Sequence, residues 1–426
     1  MRVLAGILGT GRRYDFLLVL LAFYVVSYGL HFNGLEHDFP TMLDKHYALT
    51  QSIVEYGALD LNRQWAACEE NLSSQPCRDS QFAVGADGNK YAFFSPGLSF
   101  LGVPFYYAAH LAGFGRDVEL ASLIFLNTIL GLLIVLVIYR ISLHCGNSAR
   151  DSKVISLIFG TGTIIYTYSQ TFASDIIGSL LILTSFYMYL LYVKDGRPLN
   201  LLFLGLLSGY LYTLKFNLLI PVAFLMPLIL MDIKGRDKGR AVAVIALAAG
   251  FIATFSIGAL YYNALFGSPF RTGYNSALLK GPTTFGQVRD YVATGFGNNP
   301  LKGVPGVFFA ILISSPFLAF PLYYMARGAA SRDRIQISLL LSVAASIILY
   351  GFYLTPLGSW CFGPRYALSV IPLLSYPLAM RYGDARKSRL FWVLFALSVA
   401  VTLASQNFAT WNGFWSPYEN LISDGE

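Results

Sequence analysis

At 426 residues, with 55% hydrophobic and 12% charged side chains and a mean hydropathy of +0.56, the chain lies well outside the composition of soluble domains. It reads as an all-α, polytopic membrane protein. The formal charge of +7 does not point to nucleic acid, because the cations sit in short loops between apolar runs, where they set topology.

In chain order, the first apolar run extends from Phe16 to about Phe32. It is longer than a signal-peptide core and no small-residue cleavage site follows, so it is expected to remain as the first span. Arg12 and Arg13 just before it place the N-terminus in the cytoplasm. Further runs of span length begin near Val118, Val154, Ile176, Leu201, Phe216, Ala241, Val304, Ile335, Tyr366 and Leu390. Together they predict about eleven transmembrane helices of roughly 17 to 25 residues. The run SPGLSFLGVPFYYAAHLAGF from Ser95 is ambiguous by composition.

Parity resolves it. If Ser95 to Phe114 does not cross, the loops beginning at Arg140, Lys194, Asp232, Arg327 and Arg381 are all cytoplasmic. With the N-terminus they hold roughly nineteen of the thirty Lys and Arg residues, as the positive-inside rule requires. If it crosses, all five loops become external. The segment is therefore expected to lie in or dip into the outer interface, which Pro96, Gly97, Pro104 and the Tyr106-Tyr107 pair suit.

The same parity assigns the outer face. It receives a first external loop over 32–117 with juxtamembrane helices, the Ser169–Asp175 turn, the turn at Lys215, a second external loop over 266–303, the Gly358–Tyr366 turn and the C-terminal tail. No soluble domain stands out, so residues 1–426 are expected to form one transmembrane domain in a plasma or inner membrane. Cys68 and Cys77 share the first external loop, where a disulfide could persist; two free thiols fit the spacing equally. Asn71-Leu72-Ser73 matches a glycosylation sequon, a pattern short enough to arise by chance.

In MLDKHYALTQSIVEYGALDL, from Met42, residues Tyr47, Leu49, Ile53 and Val54 give a partial stripe of helical period, which puts Asp44 in the first turn of an amphipathic helix. Ionisable groups beside a bilayer are costly to desolvate and tend to be kept for function. A carboxylate here also suits a helix cap, and spacing alone leaves both open. The stretch resembles the first acidic motif of the GT-C glycosyltransferases, in the aminoarabinose-transferase and protein-mannosyltransferase branch, whose pattern runs roughly DExRYAxxAxxLVxxGxxxL. His46-Tyr47-Ala48 falls on RYA, Val54 falls on the following apolar pair, and Gly57 and Leu61 come one residue early. Asp44 is left on the acidic pair, of which only one acid is present; Asp38, six residues upstream, is the nearest second.

YAFFSPGLSFLGVPFYYAAH, from Tyr91, is similar to the interfacial segment YSDKAPGLSLLAVPAY of bacterial members. Pro96-Gly97-Leu98-Ser99 and Pro104 match, Phe94 stands where the family has a lysine, and Lys90 is the nearest replacement. YNALFGSPFRTGY from Tyr262 resembles YNxxFGSPxxTGY, and GSWCFGPRYALSVIP from Gly358 resembles WxGGxSxGPRYxxPxxP, signatures of uncharacterised members of the superfamily. Gly267, Gly273, Gly358 and Gly363 permit tight turns or close backbone approach. Arg271 and Arg365 put guanidinium forks where a phosphate headgroup would lie, although Arg365 also suits a snorkelling anchor.

Asp175 begins a span on the outer side, where GT-C enzymes often carry another acid and where a helix cap is the alternative. Lys215 occupies a tight outer turn against the positive-inside bias, which points to a phosphate role. No P-loop, paired-histidine metal pattern or Ser-His-Asp ordering is convincing. Of five scattered histidines, His46 and His110 stand out.

The resemblance implies a glycosyltransferase that takes a sugar from a polyprenyl-phosphate donor on the extracytoplasmic face, with inversion. Asp44, or Asp38, would be the general base and Asp175 a further acid. Lys215 and Arg365, with Arg271 and Lys90, would neutralise the leaving phosphate. His46, Tyr47, Tyr274, Trp360 and Tyr366 would make other substrate contacts. No cofactor is expected; a divalent metal among Asp44, Asp38 and Asp175 is compatible with the family but is not predicted. The expected partners are the donor, a glycan, lipid or protein acceptor and membrane lipid, with no nucleic acid. A transporter or flippase of lipid-linked sugars needs similar groups without a base, but transporters gather polar groups near the midplane, and these helix interiors are nearly free of charge. A scaffold with a degenerate site is the third reading, kept by the missing second acid and by Phe94.

Overall fold

All the apolar runs become helical, but several are broken. The computed structural model describes residues 15–31, 40–70, 82–113, 115–235, 239–273, 299–353, 356–358, 362–405, 418 and 421. Helix α1 (Asp15–His31) is followed by α2 (Pro40–Tyr56), α3 (Asn62–Glu70), an antiparallel hairpin of β1 (Phe82–Val84) and β2 (Lys90–Ala92), and α4 (Gly97–Leu111). Next come α5 (Arg116–His144), α6 (Ala149–Gly162), α7 (Ile164–Tyr168), α8 (Ser174–Asp195) and α9 (Pro198–Leu214). A 3-10 turn (Phe216–Leu218) leads into α10 (Leu219–Lys234), then α11 (Arg240–Phe266), α12 (Pro300–Ser314), α13 (Ala319–Ala330) and α14 (Arg334–Gly351). The chain closes through α15 (Ser375–Met380), α16 (Tyr382–Ala385) and α17 (Arg389–Ala404). Among the described residues the all-α expectation holds apart from this small hairpin.

Among the described residues, five segments are long and apolar enough to cross a membrane: α5, α8, α10 with its leading turn, α11 and α14. A sixth is gained if α12 and α13 count as one, but they meet at 114°. The straight span expected from Val304 therefore does not form. Pro316 supplies the reason: it has no N–H to donate and pushes Ser315 out of helical geometry, to φ −149 and ψ 72. The backbone N–H of Phe317 donates instead to Ser398 Oγ of α17, at 3.1 Å.

The run from Val154 likewise splits at Thr163, whose hydroxyl donates to the Phe159 carbonyl and accepts from the Ile165 N–H. The run from Tyr366 forms two 3-10 turns, Arg365–Ser369 and Ile371–Leu374, before α15. Every residue from 367 to 379 is buried, and irregular backbone is tolerated in a membrane protein where other helices enclose it. Helix α4 has 15 residues, about 22 Å of axial length against a hydrocarbon core of about 30 Å, so it is too short to cross alone.

Glycines bring α9 and α11 into close contact. A Cβ on Gly205 would lie 2.2 Å from the Leu247 carbonyl oxygen, and one on Gly250 would lie 2.2 Å from that of Leu202. Small residues at such crossings let backbones approach where lipid offers no hydrophobic drive. Thr254 Oγ1 donates across the same interface to the Leu206 carbonyl.

The loops sort to two ends of the bundle. At one end Arg386 reaches Asp151 at 3.1 Å, Asn147 donates to the Ala379 carbonyl and Tyr189 donates to Asp232. At the other, the hairpin meets the end of α11 through a 2.8 Å bond from the Ala86 N–H to the Leu265 carbonyl, and Tyr212 donates to the Pro269 carbonyl. Loop parity assigns the first group to the cytoplasmic face and the second to the outer face.

Candidate active site

Polar groups from four distant segments converge at the second end. Asp175 opens α8, Lys215 sits in the bend between α9 and the next 3-10 turn, and Arg365 begins the enclosed segment that leads to α15. Lys215 Nζ lies 2.7 Å from Asp175 Oδ1, and Arg365 Nε lies 3.6 Å from Asp175 Oδ2. The three side chains are 5% (Asp175), 13% (Lys215) and 11% (Arg365) exposed. His46, from α2, and Ser174 complete the polar lining of the cleft, while Phe94, Phe172 and Ala173 form its apolar wall. The His46 ring centroid is 5.3 Å from that of Phe94 and 6.0 Å from that of Phe172.

Tyr366 carries both cations at its ring face: Lys215 Nζ is 5.5 Å and Arg365 Cζ 5.2 Å from the centroid. Its ring stacks on Tyr350 of α14 at 5.2 Å. One carboxylate therefore faces two cations, and the ionised triad carries a net positive charge in a largely buried setting. Such a surplus is stabilised by an incoming anion. As a metal site the described residues fit poorly, because both oxygens of Asp175 already face a cation.

Each sequence motif contributes through packing. A Cβ on Gly97 of the PGLS motif would lie 2.5 Å from Thr213 Oγ1, next to Lys215, and Tyr210 donates to the Gly97 carbonyl. A Cβ on Gly273 of the FGSPFRTG stretch would lie 2.4 Å from the Phe93 carbonyl oxygen, beside Phe94. Gly358 has φ +117, and a Cβ there would come within 3.0 Å of Arg365 Nε. Tyr168 donates to the Phe362 carbonyl and Ser179 to that of Leu368, fixing the Gly-Pro-Arg-Tyr segment on both sides.

Of the expected site residues, Asp175, Lys215, Arg365, His46 and Tyr366 come together. Lys90 does not line the cleft; it lies on β2 with Nζ 4.5 Å from the Trp65 ring. Arg271 belongs to the turn after α11 and is likewise absent from the lining. Tyr47 is turned elsewhere, its hydroxyl 3.3 Å from Glu119, because residues one apart on a helix face different ways. Asp44 lies on α2, two residues before His46, and its side chain is outside the described residues, as are Asp38, Tyr274, Trp360, Asn71 and the Cys68–Cys77 pair. Among the residues that the expectation missed, Asn127 of α5 donates to the carbonyls of Thr171 and Ala173 and so shapes the approach to Asp175. Its signal was a lone amide inside the run LIFLNTILG.

Comparison with solved structures shows a likeness to the oligosaccharyltransferase of Archaeoglobus fulgidus. The apo form aligns with a TM-score of 0.55 at 12% identity, covering 98% of this chain and 57% of that one. The complex with zinc and sulfate aligns at 0.51 and 14% identity, covering 89% and 53%. The chain thus spans little more than half the length of the enzyme that it matches. No protein-family model and no curated protein matches the sequence. At these identities the likeness is one of architecture: the chain has a predominantly helical fold similar to that of the oligosaccharyltransferase.

Proposed function

We propose that the protein is a membrane glycosyltransferase that transfers a sugar from a polyprenyl-phosphate donor to a glycan, lipid or protein acceptor. The observation that carries the proposal is the buried cationic triad of Lys215, Arg365 and Asp175 at the end of the bundle where the GT-C-like motifs meet. In this reading the chain is one transmembrane domain with about eleven spans, close to the aminoarabinose-transferase branch. Its N-terminus is cytoplasmic, and its site and C-terminus are extracytoplasmic.

Asp44 accepts the proton of an acceptor hydroxyl as that oxygen attacks the anomeric carbon, with Asp38 as the alternative base. The bond from the anomeric carbon to the lipid phosphate oxygen breaks, and negative charge grows on the departing phosphate. Lys215 and Arg365 face that charge; stabilisation of this kind is usually the largest catalytic term. Asp175 acts as a positioning residue that holds the two cations parallel to the leaving group, and His46 and Phe94 shape the wall. Arg271 and Lys90, outside the described lining, would reach the donor only at its periphery. Attack opposite the leaving phosphate inverts the anomeric centre.

The bend at Ser315 is the feature that most favours a transporter, since broken helices mark transport sites. The sequence around it, from Gly303 to Ala326, carries no charged residue, so the break itself supplies no cation for a sugar phosphate. The test is the Asp44→Asn variant, reconstituted with polyprenyl-phosphate sugars. Transfer should fall by about a hundredfold or more, within the usual range for losing a general base, while binding of polyprenyl phosphate stays unchanged. Undiminished transfer would remove Asp44 from its role.

A further inference from the structure

A second polar cluster lies outside this cleft. Glu55 is nine residues beyond His46 on α2, about 13 Å along the axis. His110, in the last turn of α4, and Glu119, in the first turn of α5, meet it. His110 Nδ1 is 2.9 Å from Glu119 Oε1 and 3.9 Å from Glu55 Oε1, and one ligand atom from each residue lies within 4.8 Å of the other two. Tyr106 donates to Glu55 at 2.5 Å, and Tyr47 donates to Glu119 at 3.3 Å.

Two carboxylates this close repel, and Glu119 is only 9% exposed. Between them sits His110, which carries at most one positive charge. A dication bound to neutral imidazole would balance both carboxylates at once. Tetrahedral zinc, with bonds of about 2.0 to 2.1 Å, sets its ligand atoms about 3.3 Å apart. The observed 2.9 and 3.9 Å separations straddle that value. We propose that Glu55, His110 and Glu119 form a binding site for a divalent first-row metal ion, with Zn²⁺ the best match to one nitrogen and two oxygen donors. The hydrogen bonds from Tyr47 and Tyr106 orient the carboxylates, as the outer partners of metal ligands do. The half-exposed His110 leaves a route from solvent and a position for water. The ion clasps α2, α4 and α5, and thereby fixes the helix that presents His46.

The site is separate from the transferase reading and is tested without it. The full chain, purified in detergent, freed of its affinity tag and stripped with chelator, is titrated with Zn²⁺ and, for its visible spectrum, with Co²⁺. The expected result is one equivalent per chain, a raised unfolding temperature and the strong absorption of four- or five-coordinate cobalt. His110→Ala and Glu119→Gln should each weaken binding by about tenfold or more and abolish the thermal shift. His110 is exposed enough for that variant to fold, and its unfolding temperature without metal checks this. No uptake by the wild-type chain, or uptake unchanged in both variants, would overturn the proposal.

Discussion

Lys215 Nζ lies 2.7 Å from Asp175 Oδ1, joining the bend after α9 to the first turn of α8. The contact turns two residues that each look like a local device, a helix cap and a turn cation, into one buried pair. Asp175→Asn leaves two buried cations without their counter-charge. Removing one member of a buried pair costs about 3–5 kcal/mol, which thermal unfolding in detergent would register. The Asp175→Asn/Lys215→Gln double variant should be more stable than the sum of the single losses implies. Strict additivity would show that the pair contributes nothing.

Arg365 rests against a residue that has no side chain. Gly358→Ala places a methyl 3.0 Å from Arg365 Nε at a backbone φ of +117, a strained combination costing about 1–3 kcal/mol. The guanidinium must move, so polyprenyl-phosphate binding should weaken in Gly358→Ala as it does in Arg365→Ala. Wild-type binding in Gly358→Ala would separate the glycine from the site.

Asn127→Leu keeps the volume of a buried side chain on α5 and removes both hydrogen bonds to the carbonyls of Thr171 and Ala173. The stranded carbonyls cost about 1–3 kcal/mol. Hydrogen exchange in residues 169–176 should quicken, and transfer should fall without any change at a charged residue. Unaltered exchange there would refute the positioning role.

In the proposed topology the two ends of the bundle lie on opposite sides of the membrane. In a chain whose native cysteines are replaced, Lys234→Cys should react with a membrane-impermeant thiol reagent only from the cytoplasmic side, and Phe270→Cys only from the other. Labelling of both from one side would break the topology.

Much of the fold was legible because the bilayer imposes it. Runs from Phe16 to Leu390 are helical since a backbone in hydrocarbon must satisfy its own hydrogen bonds. The breaks were less legible. Pro316 is plain in the sequence, yet prolines also sit inside α4, α10 and α12. Only the neighbouring Ser398, ready to accept the freed Phe317 N–H, makes a 114° turn tolerable.

The site divides in the same way. From sequence alone Asp175, Lys215 and Arg365 could each be picked out, because charge is rare and costly beside apolar helices. Their mutual geometry was not legible: Asp175 and Lys215 are 40 positions apart, and only the packing of α8 on α9 makes one the partner of the other. Tyr47 shows the reverse, since a motif placed it beside His46 while helical rotation turned it toward Glu119. The sequence by itself determined which residues bear charge and that they fall beside apolar helices, for those follow from local solvation. Tertiary structure decided which charges meet, since a contact of 2.7 Å depends on the packing of whole helices that no local pattern encodes.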